Sequence, residues 1–237
     1  METIKGKNIL LIGATGGIGQ HLLKLLHTSG ANLFITGKDE NKLNAIINQY
    51  NIDENFFLGD LTDIENANKL KEKYFSSFST IDILINASGI GIIKPTENLS
   101  ETDFMKTLMI NLFSPFLIIK SFLPEMKSEK KGLIIHIPGV LGKVPMAGAA
   151  AYSASKYGLV GMLQSIREEI KRTDIRITNI FMGGVDSPFW DNIDLRVQKE
   201  KMITSEEAAK AIWFLCQQPN SGVISEMVLQ PFNHQAI

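Results

Sequence analysis

Short apolar runs alternate with longer segments of helical character along this chain, and that alternation limits its fold more than any other feature. Strand-like runs cover Asn8–Ile12, Asn32–Thr36, Ile81–Asn86, Leu133–Ile137, Ile175–Phe181 and Val223–Leu229. Helix-like segments cover Gly17–Thr28, Glu40–Asn48, Ile64–Phe75, Glu101–Lys127, Ala151–Lys171 and Ser205–Gln217. Such alternation predicts parallel strands joined by crossover helices. Because the strand-like runs are apolar on both faces, helices should cover both sides of the sheet. The sequence therefore predicts an α/β fold, a doubly wound parallel sheet in three layers.

Size and charge narrow the choice of partners. A chain of 237 residues with 44% hydrophobic residues can bury one large core, so we expect a single domain over residues 1–237. Its 24 basic and 25 acidic residues give a net charge of −1, which offers no attraction for nucleic acid or an anionic membrane. The apolar stretch Leu112–Leu123 is shorter than the roughly 20 residues of a membrane span. The lone Cys216 requires no oxidising compartment, so we expect a cytoplasmic protein.

One polar segment interrupts the alternation after the fifth helix and its following strand. Residues 186–203 contain no clear strand pattern and lie between the last two strand-like runs. We interpret this segment as a small substrate flap over the carboxyl ends of the strands, where ligands bind in sheets of this type.

A glycine-rich turn follows the first strand and opens the first helix. It reads Gly13-Ala14-Thr15-Gly16-Gly17-Ile18-Gly19. Glycines let the backbone turn tightly and approach a pyrophosphate, while free amides and the helix dipole favour negative charge. The turn could also be a purely structural connection, but its position favours a dinucleotide site in a Rossmann-type sheet. The predicted cofactor contacts in the turn are Gly13, Thr15, Gly17, Ile18 and Gly19.

The end of the second strand bears on the identity of the dinucleotide. A carboxylate there would bind the ribose hydroxyls of NAD, whereas a basic residue accommodates the 2′-phosphate of NADP. The strand ends Thr36-Gly37-Lys38, with no acid at its tip and a cation directly after it. Lys38 could be an ordinary solvated lysine, and Asp39 follows it. NADP(H) is therefore the preferred cofactor, and NAD(H) stays possible.

Tyr152 and Lys156 form the candidate catalytic pair. Four residues apart on a helix, they lie on one face and can point together into the cleft. A free phenol has a pKa near 10, and a neighbouring ammonium is expected to lower it toward the pH at which proton transfer is efficient. The two residues alone could be a surface pair on an amphipathic helix. Their combination with the glycine turn favours hydride-transfer chemistry, and no metal site is predicted.

Together these motifs resemble the short-chain dehydrogenase/reductase family, and the likeness runs from about Lys5 to Pro231. The family's Asn-Asn-Ala-Gly appears here as Asn86-Ala87-Ser88-Gly89, and its Pro-Gly-x-Val-x-Thr as Met182-Gly183-Gly184-Val185-Asp186-Ser187. The family's helix asparagine matches Asn111, and its acid after the third strand matches Asp60 in Gly59-Asp60-Leu61.

The resemblance implies a role for each matched residue. Asp60 would bind the adenine beside Leu61, and Val185 and Ser187 would face the nicotinamide carboxamide. Lys156 would bind the nicotinamide ribose, Tyr152 would act as acid and base, and Asn111 would hold a water linked to Lys156. Further cofactor contacts are expected at Asn86, Ala87, Ser88, Gly89 and Gly183. The implied activity is interconversion of a carbonyl and an alcohol.

One departure from the family pattern falls on the chemistry. Gly139, thirteen residues before Tyr152, occupies the place of the serine that binds the substrate oxygen. The glycine turn also fits Gly-x-x-Gly-x-x-Gly, which is seen in relatives that include non-catalytic NADP-binding sensors. Two hypotheses follow: an oxidoreductase with reduced or atypical activity, or a weak or inactive NADP(H)-binding sensor or partner subunit.

The resemblance also implies the partners of the protein. We expect a small-molecule carbonyl or alcohol substrate and a homodimer or homotetramer formed through the fourth and fifth helices. The small residues Ala154, Gly158 and Gly161 would allow close approach of another helix, although they could equally pack within the subunit.

Overall fold

The structure, a computed structural model, describes residues 1–52, 54–191, 193 and 195–233. Its strands are β1 (Asn8–Ile12), β2 (Asn32–Gly37), β3 (Phe56–Leu58), β4 (Ile83–Asn86), β5 (Lys131–His136), β6 (Asp174–Met182), β7 (Val185–Asp186), β8 (Ile203–Thr204) and β9 (Glu226–Leu229). Its α-helices are α1 (Gly17–Thr28), α2 (Glu40–Tyr50), α3 (Ile64–Ser77), α4 (Glu101–Leu108), α5 (Ser114–Glu129), α6 (Ala150–Ile170) and α7 (Ser205–Leu215).

Seven parallel strands form one sheet in the order β3-β2-β1-β4-β5-β6-β9. From β1 the chain winds outward to β3, then returns to β4 on the other side of β1 and winds toward β9. The strand order therefore reverses between β1 and β4, which is where ligands bind in sheets of this kind. The predicted doubly wound parallel sheet is confirmed.

Alternate residues of the central strands enter two separate cores. In β1, Ile9 and Leu11 belong to the core beneath α1 and α7, whereas Leu10 and Ile12 belong to the core beneath α3, α5 and α6. All four side chains are at most 2% exposed. Helices thus cover both faces of the sheet, which explains why the strand-like runs carry no polar alternation.

The predicted flap is more ordered than its sequence indicated. Its two ends pair as a small parallel ribbon of β7 and β8, so the expectation of no strand is wrong there. Between them lie two short 3₁₀ turns, Pro188–Trp190 and Lys199–Lys201. Residues 192 and 194 of the flap lie outside the described residues. Two-residue strands give too little pattern for sequence periodicity to detect.

A continuous helical stretch runs from Glu101 to Glu129 through α4, a π-helical turn at Met109–Phe113, and α5. By length and composition it could cross a membrane, so the argument from Leu112–Leu123 alone underestimated it. Of its most apolar window, 44% is buried inside the protein. A single helix of this kind is weak support for a membrane span, because core helices pass the same test.

Candidate active site

A cavity of about 1120 Å³ opens at the carboxyl ends of β1, β4, β5 and β6. Ten of the residues predicted to bind cofactor line it: Gly17, Ile18, Ala87, Ser88, Gly89, Tyr152, Lys156, Gly183, Val185 and Ser187. A second cavity of about 740 Å³ is lined by three of the predicted residues: Thr15, and Gly17 and Ser187, which line both cavities. Seven other predicted residues line neither cavity: Gly13, Gly19, Lys38, Asp60, Leu61, Asn86 and Asn111.

Two glycines of the first turn leave no room for a side chain. Gly13 has a φ of +83°, and a Cβ atom on it would lie 2.9 Å from the backbone nitrogen of Ser88. A Cβ atom on Gly19 would lie 2.1 Å from the carbonyl oxygen of Gly13. Both therefore act by letting β1, α1 and the loop after β4 come together. Such a turn fits the close backbone approach that a dinucleotide pyrophosphate requires.

Lys38 pairs with Asp60 rather than standing alone. Their side chains are 3.3 Å apart at the surface, beyond the ends of β2 and β3. Burial tends to raise the pKa of Asp60, but hydrogen bonds from Thr62 and Lys38 outweigh it and lower that pKa. The neighbouring Leu61 is 8% exposed and packs into the core.

Asp39 is the acid that kept NAD(H) possible as the cofactor, and in the structure it has a partner within α2. Its carboxylate caps α2 by accepting a 3.0 Å hydrogen bond from the backbone nitrogen of Lys42. Lys42 itself lines the second cavity together with Thr15. Sequence reasoning missed this second cation.

The loop after β4 is shaped by two buried asparagines. The side-chain oxygen of Asn86 accepts hydrogen bonds from the backbone nitrogen and the hydroxyl of Ser88, at 3.0 and 2.7 Å. Asn111 lies in the π-helical turn, where its side chain bonds both the nitrogen and the oxygen of Ile90 at 2.9 Å. It also donates to the Ser155 hydroxyl at 3.1 Å. Asn111 thus fixes this loop beside α6.

Tyr152 and Lys156 both enter the large cavity from α6. The Lys156 ammonium donates a 3.1 Å hydrogen bond to the Ile137 carbonyl and lies 5.4 Å from the centre of the Tyr152 ring. Burial lowers the pKa of Lys156 to about 8. Burial also raises the pKa of Tyr152, so the expected lowering by the ammonium is wrong for this structure. The cause is removal of the hydroxyl from water, which disfavours the charged phenolate.

Gly139 has a backbone that an ordinary residue rarely adopts. Its φ is +70° and its ψ is 169°, a region occupied almost only by glycine. A Cβ atom there would lie 3.4 Å from the Met182 carbonyl oxygen and 3.8 Å from the Tyr152 hydroxyl. Space for a serine is therefore present next to Tyr152, but the backbone at this position is shaped for glycine.

Phe189 is the main site residue that sequence reasoning missed. It stands in the flap's first 3₁₀ turn, and its ring centre is 5.8 Å from that of Tyr152. A Cβ atom on Gly91 would lie 2.2 Å from the Phe189 ring, so the ring fills the space that Gly91 leaves. The adjacent Trp190 donates a 2.9 Å hydrogen bond to the Val185 carbonyl, which anchors the turn. Asp186 and Asp191 of the flap line the second cavity.

His136, the last residue of β5, is a buried titratable residue close enough to Lys156 for that charge to act on it. The residue is 1% exposed, but its Nε2 atom has no hydrogen-bond partner among the described residues. Burial, aided by the charge of Lys156, lowers the pKa of His136 to about 3. The side chain is thus neutral. Within the described part of the chain, no group of three or more His, Cys, Asp or Glu residues could hold a metal ion.

The chain is similar in sequence to proteins of a known family. A profile described as short chain dehydrogenase matches residues 7–198. An uncharacterized oxidoreductase of Staphylococcus epidermidis is 26% identical over 231 residues, covering 98% of this chain and 100% of the relative. A 3-oxoacyl-[acyl-carrier-protein] reductase of Rickettsia typhi is 30% identical over 226 residues, covering 91% of each chain.

Solved structures agree with the fold. An alcohol dehydrogenase from the archaeon Thermococcus sibiricus, complexed with 5-hydroxy-NADP, superposes with a TM-score of 0.89 at 21% identity, covering 98% of this chain and 100% of that one. A metagenomic short-chain oxidoreductase in complex with NADP gives 0.81 at 26% identity, covering 97% and 99%. With the profile matching most of its length, the chain belongs to the short-chain dehydrogenase family.

Proposed function

We propose that the protein is an NADP(H)-dependent oxidoreductase that interconverts a carbonyl and an alcohol, acting in the cytoplasm. The observation that carries the proposal is the placement of Tyr152 and Lys156 in one cavity with the loops that follow β1, β4 and β6. This arrangement would bring a bound nicotinamide and a carbonyl group together next to Tyr152.

The residues around the cavities fit NADP(H). Gly13 and Gly19, where a side chain would clash with the backbone, keep the turn open to a pyrophosphate. Lys38 and Lys42 supply two cations near the end of β2. Both NADP-bound and NADPH-bound structures occur among the proteins that share this fold. The bound cofactor would supply or accept the hydride.

The protein's own contribution is geometry and a proton. Because burial raises the pKa of Tyr152, its hydroxyl keeps the proton at neutral pH and can donate it to the carbonyl oxygen in reduction. Lys156, positively charged below about pH 8, would stabilise the phenolate that is left. Asn111 would act indirectly, by holding the loop at Ile90 against α6.

Tyr152→Phe tests the proposal. The variant should bind NADPH as the wild type does, because it keeps the ring, and should lose turnover by at least about 10²-fold, because it has no proton to donate. NADPH oxidation over a panel of ketones, aldehydes and quinones measures turnover, and titration of NADPH fluorescence measures binding. Equal turnover by wild type and variant would remove Tyr152 from the chemistry.

The second candidate is a weak or inactive NADP(H)-binding sensor or partner subunit, and Gly139 is the observation that favours it. Loss of a donor to the developing oxyanion costs about 2.7 to 4 kcal/mol, or roughly 10² to 10³ in rate. We expect reduced but real wild-type turnover. No turnover by wild type on any compound, together with tight NADPH binding, would favour the sensor.

The variant Gly139→Ser has to be compared with Gly139→Ala. Both should lose about 1 to 3 kcal/mol of stability, because both place a side chain at a φ of +70°. Only the serine adds a hydroxyl near Tyr152. A higher turnover in Gly139→Ser than in Gly139→Ala would therefore measure the hydroxyl alone, free of the shared backbone strain.

A further inference from the structure

The large cavity extends beyond Tyr152 into a space with apolar walls. These walls come from the loop after β4, the turn after β5 and the flap, through Ile92, Ile93, Val140, Leu141, Met146 and Trp190. Ile93 and Val140 are each 8% exposed and are part of the packed interior. Transfer of an apolar molecule, or of the apolar part of one, from water into this space would be favourable in free energy.

The charges around the same cavity have one sign. Its described lining residues include four cations, Lys106, Lys156, Arg196 and Lys201, and no aspartate or glutamate. Lys156 is assigned to Tyr152 and the cofactor, and Arg196 and Lys201 belong to the flap. Lys106 is different, because it comes from α4, an element that holds none of the predicted cofactor contacts.

Lys106 is also available to a ligand. The carboxylate one turn before it on α4, Asp103, forms its ion pair with Lys94 at 2.7 Å, and Lys106 acts on that carboxylate only through its charge. Within the described part of the chain Lys106 makes no ion pair, and its side chain is exposed at the cavity. An unpaired cation that lines the same cavity as these apolar walls favours a ligand that carries a negative charge as well as an apolar part.

We propose that the substrate is an apolar carbonyl compound with one anionic end, a carboxylate or a phosphate, and that Lys106 binds this end. The inference rests on the proposed function for the carbonyl site, and it deepens that function by naming the substrate class. Lys106 is then a specificity-determining residue: it selects among carbonyl compounds without taking part in proton or hydride transfer.

Matched substrates test the proposal. A medium-chain keto acid is compared with its neutral methyl ester and with a keto phosphate of the same length, using wild type, Lys106→Gln and Lys106→Arg. Lys69→Gln is the control, because Lys69 is an exposed lysine of α3 outside the cavity. Each compound is assayed for NADPH oxidation, and its binding to protein saturated with NADP⁺ is measured by calorimetry.

We expect wild type to favour one of the anionic compounds over the ester. Lys106→Gln should raise KM for that compound by about 3- to 10-fold, leave kcat within about 2-fold and leave the ester unaffected. Lys106→Arg should restore the preference, and Lys69→Gln should keep it. The compound that responds, keto acid or keto phosphate, identifies the anionic group.

Two results would overturn the inference: equal use and equal binding of the ester and both anionic compounds by wild type, or an anion preference that survives in Lys106→Gln. Absence of turnover with a calorimetric anion preference that vanishes in Lys106→Gln would support the inference while the proposed function failed. Turnover of all three compounds without preference would support the proposed function, and the inference about Lys106 would fail.

Discussion

At the scale of single residues, the buried ammonium of Lys156 makes a measurable link between pH and stability. Its pKa in the folded protein is about 8, below the 10.5 of the free side chain. Between these values the unfolded chain still holds a proton that the folded protein has released, so the free energy of unfolding rises with pH. Below about pH 8 both states are protonated and the desolvation cost is fully present.

We therefore predict that cofactor-free wild type gains about 2 to 3 kcal/mol relative to Lys156→Met between about pH 7 and about pH 10.5. Taking the difference between the two proteins cancels other titrating groups, such as the buried Cys216 thiol, whose pKa burial raises. Urea unfolding at several pH values measures the difference. Lys69→Met, at an exposed site, is the control and should run parallel to wild type. Parallel curves for Lys156→Met as well would contradict the buried charge.

At the scale of elements, the flap and the loop after β4 are fitted to each other through Phe189 and Gly91. The Phe189 ring occupies the place of a side chain at Gly91 and forms an edge contact with Trp190 at 5.2 Å. Gly91→Ala should therefore push the ring and the Pro188–Trp190 turn outward. We expect a loss of about 1 kcal/mol of stability, the low end of the usual cost of overpacking, because only the far end of the half-buried Phe189 side chain has to move.

Trp190 reports this displacement. In a Trp213→Phe background, Trp190 is the one remaining tryptophan, and its emission should shift to longer wavelength in Gly91→Ala and in Phe189→Ala as water reaches it. Gly222→Ala is the matched control, because the nearest atom to a Cβ there, Pro219 Cγ, is 3.9 Å away. A red shift in the control, or none in either flap variant, would mean that Phe189 does not seat the turn.

These elements also show where sequence reasoning succeeds and where it stops. Six of the seven strands of the sheet and the long helices were placed to within a few residues, because apolar periodicity and glycine turns are local signals. The three-residue β3 was not among the predicted runs. The contact of Phe189 with Gly91 joins residues almost a hundred positions apart, and nothing local specifies it. The raised pKa of Tyr152 and the backbone of Gly139 likewise depend on packing around them.

At the scale of the whole molecule, the small residues of α6 divide into two groups. Gly158 packs within the subunit, since a Cβ atom there would lie 2.9 Å from Leu112. Ala154 and Gly161 are exposed, and so is Tyr157 between them, which places all three on one outer face of α6. One helical turn beyond Leu112, Phe116 of α5 is 40% exposed and adds a second apolar side chain to the outer surface.

We predict that two subunits meet through this face of α5 and α6. Phe116→Glu and Tyr157→Glu should each shift the protein to a smaller species in sedimentation velocity, because each buries a charge in an apolar contact.

Val228→Glu is the matched comparison: Val228 is 44% exposed on β9, at the edge of the sheet. A dimer needs only the helical face, so Val228→Glu would leave it intact. A tetramer would also use the sheet edge. It would become a dimer held by the helical face in Val228→Glu and a dimer held by the sheet edge in Tyr157→Glu. Sedimentation of both helix variants at the size of wild type would rule out the helical face, whatever the assembly.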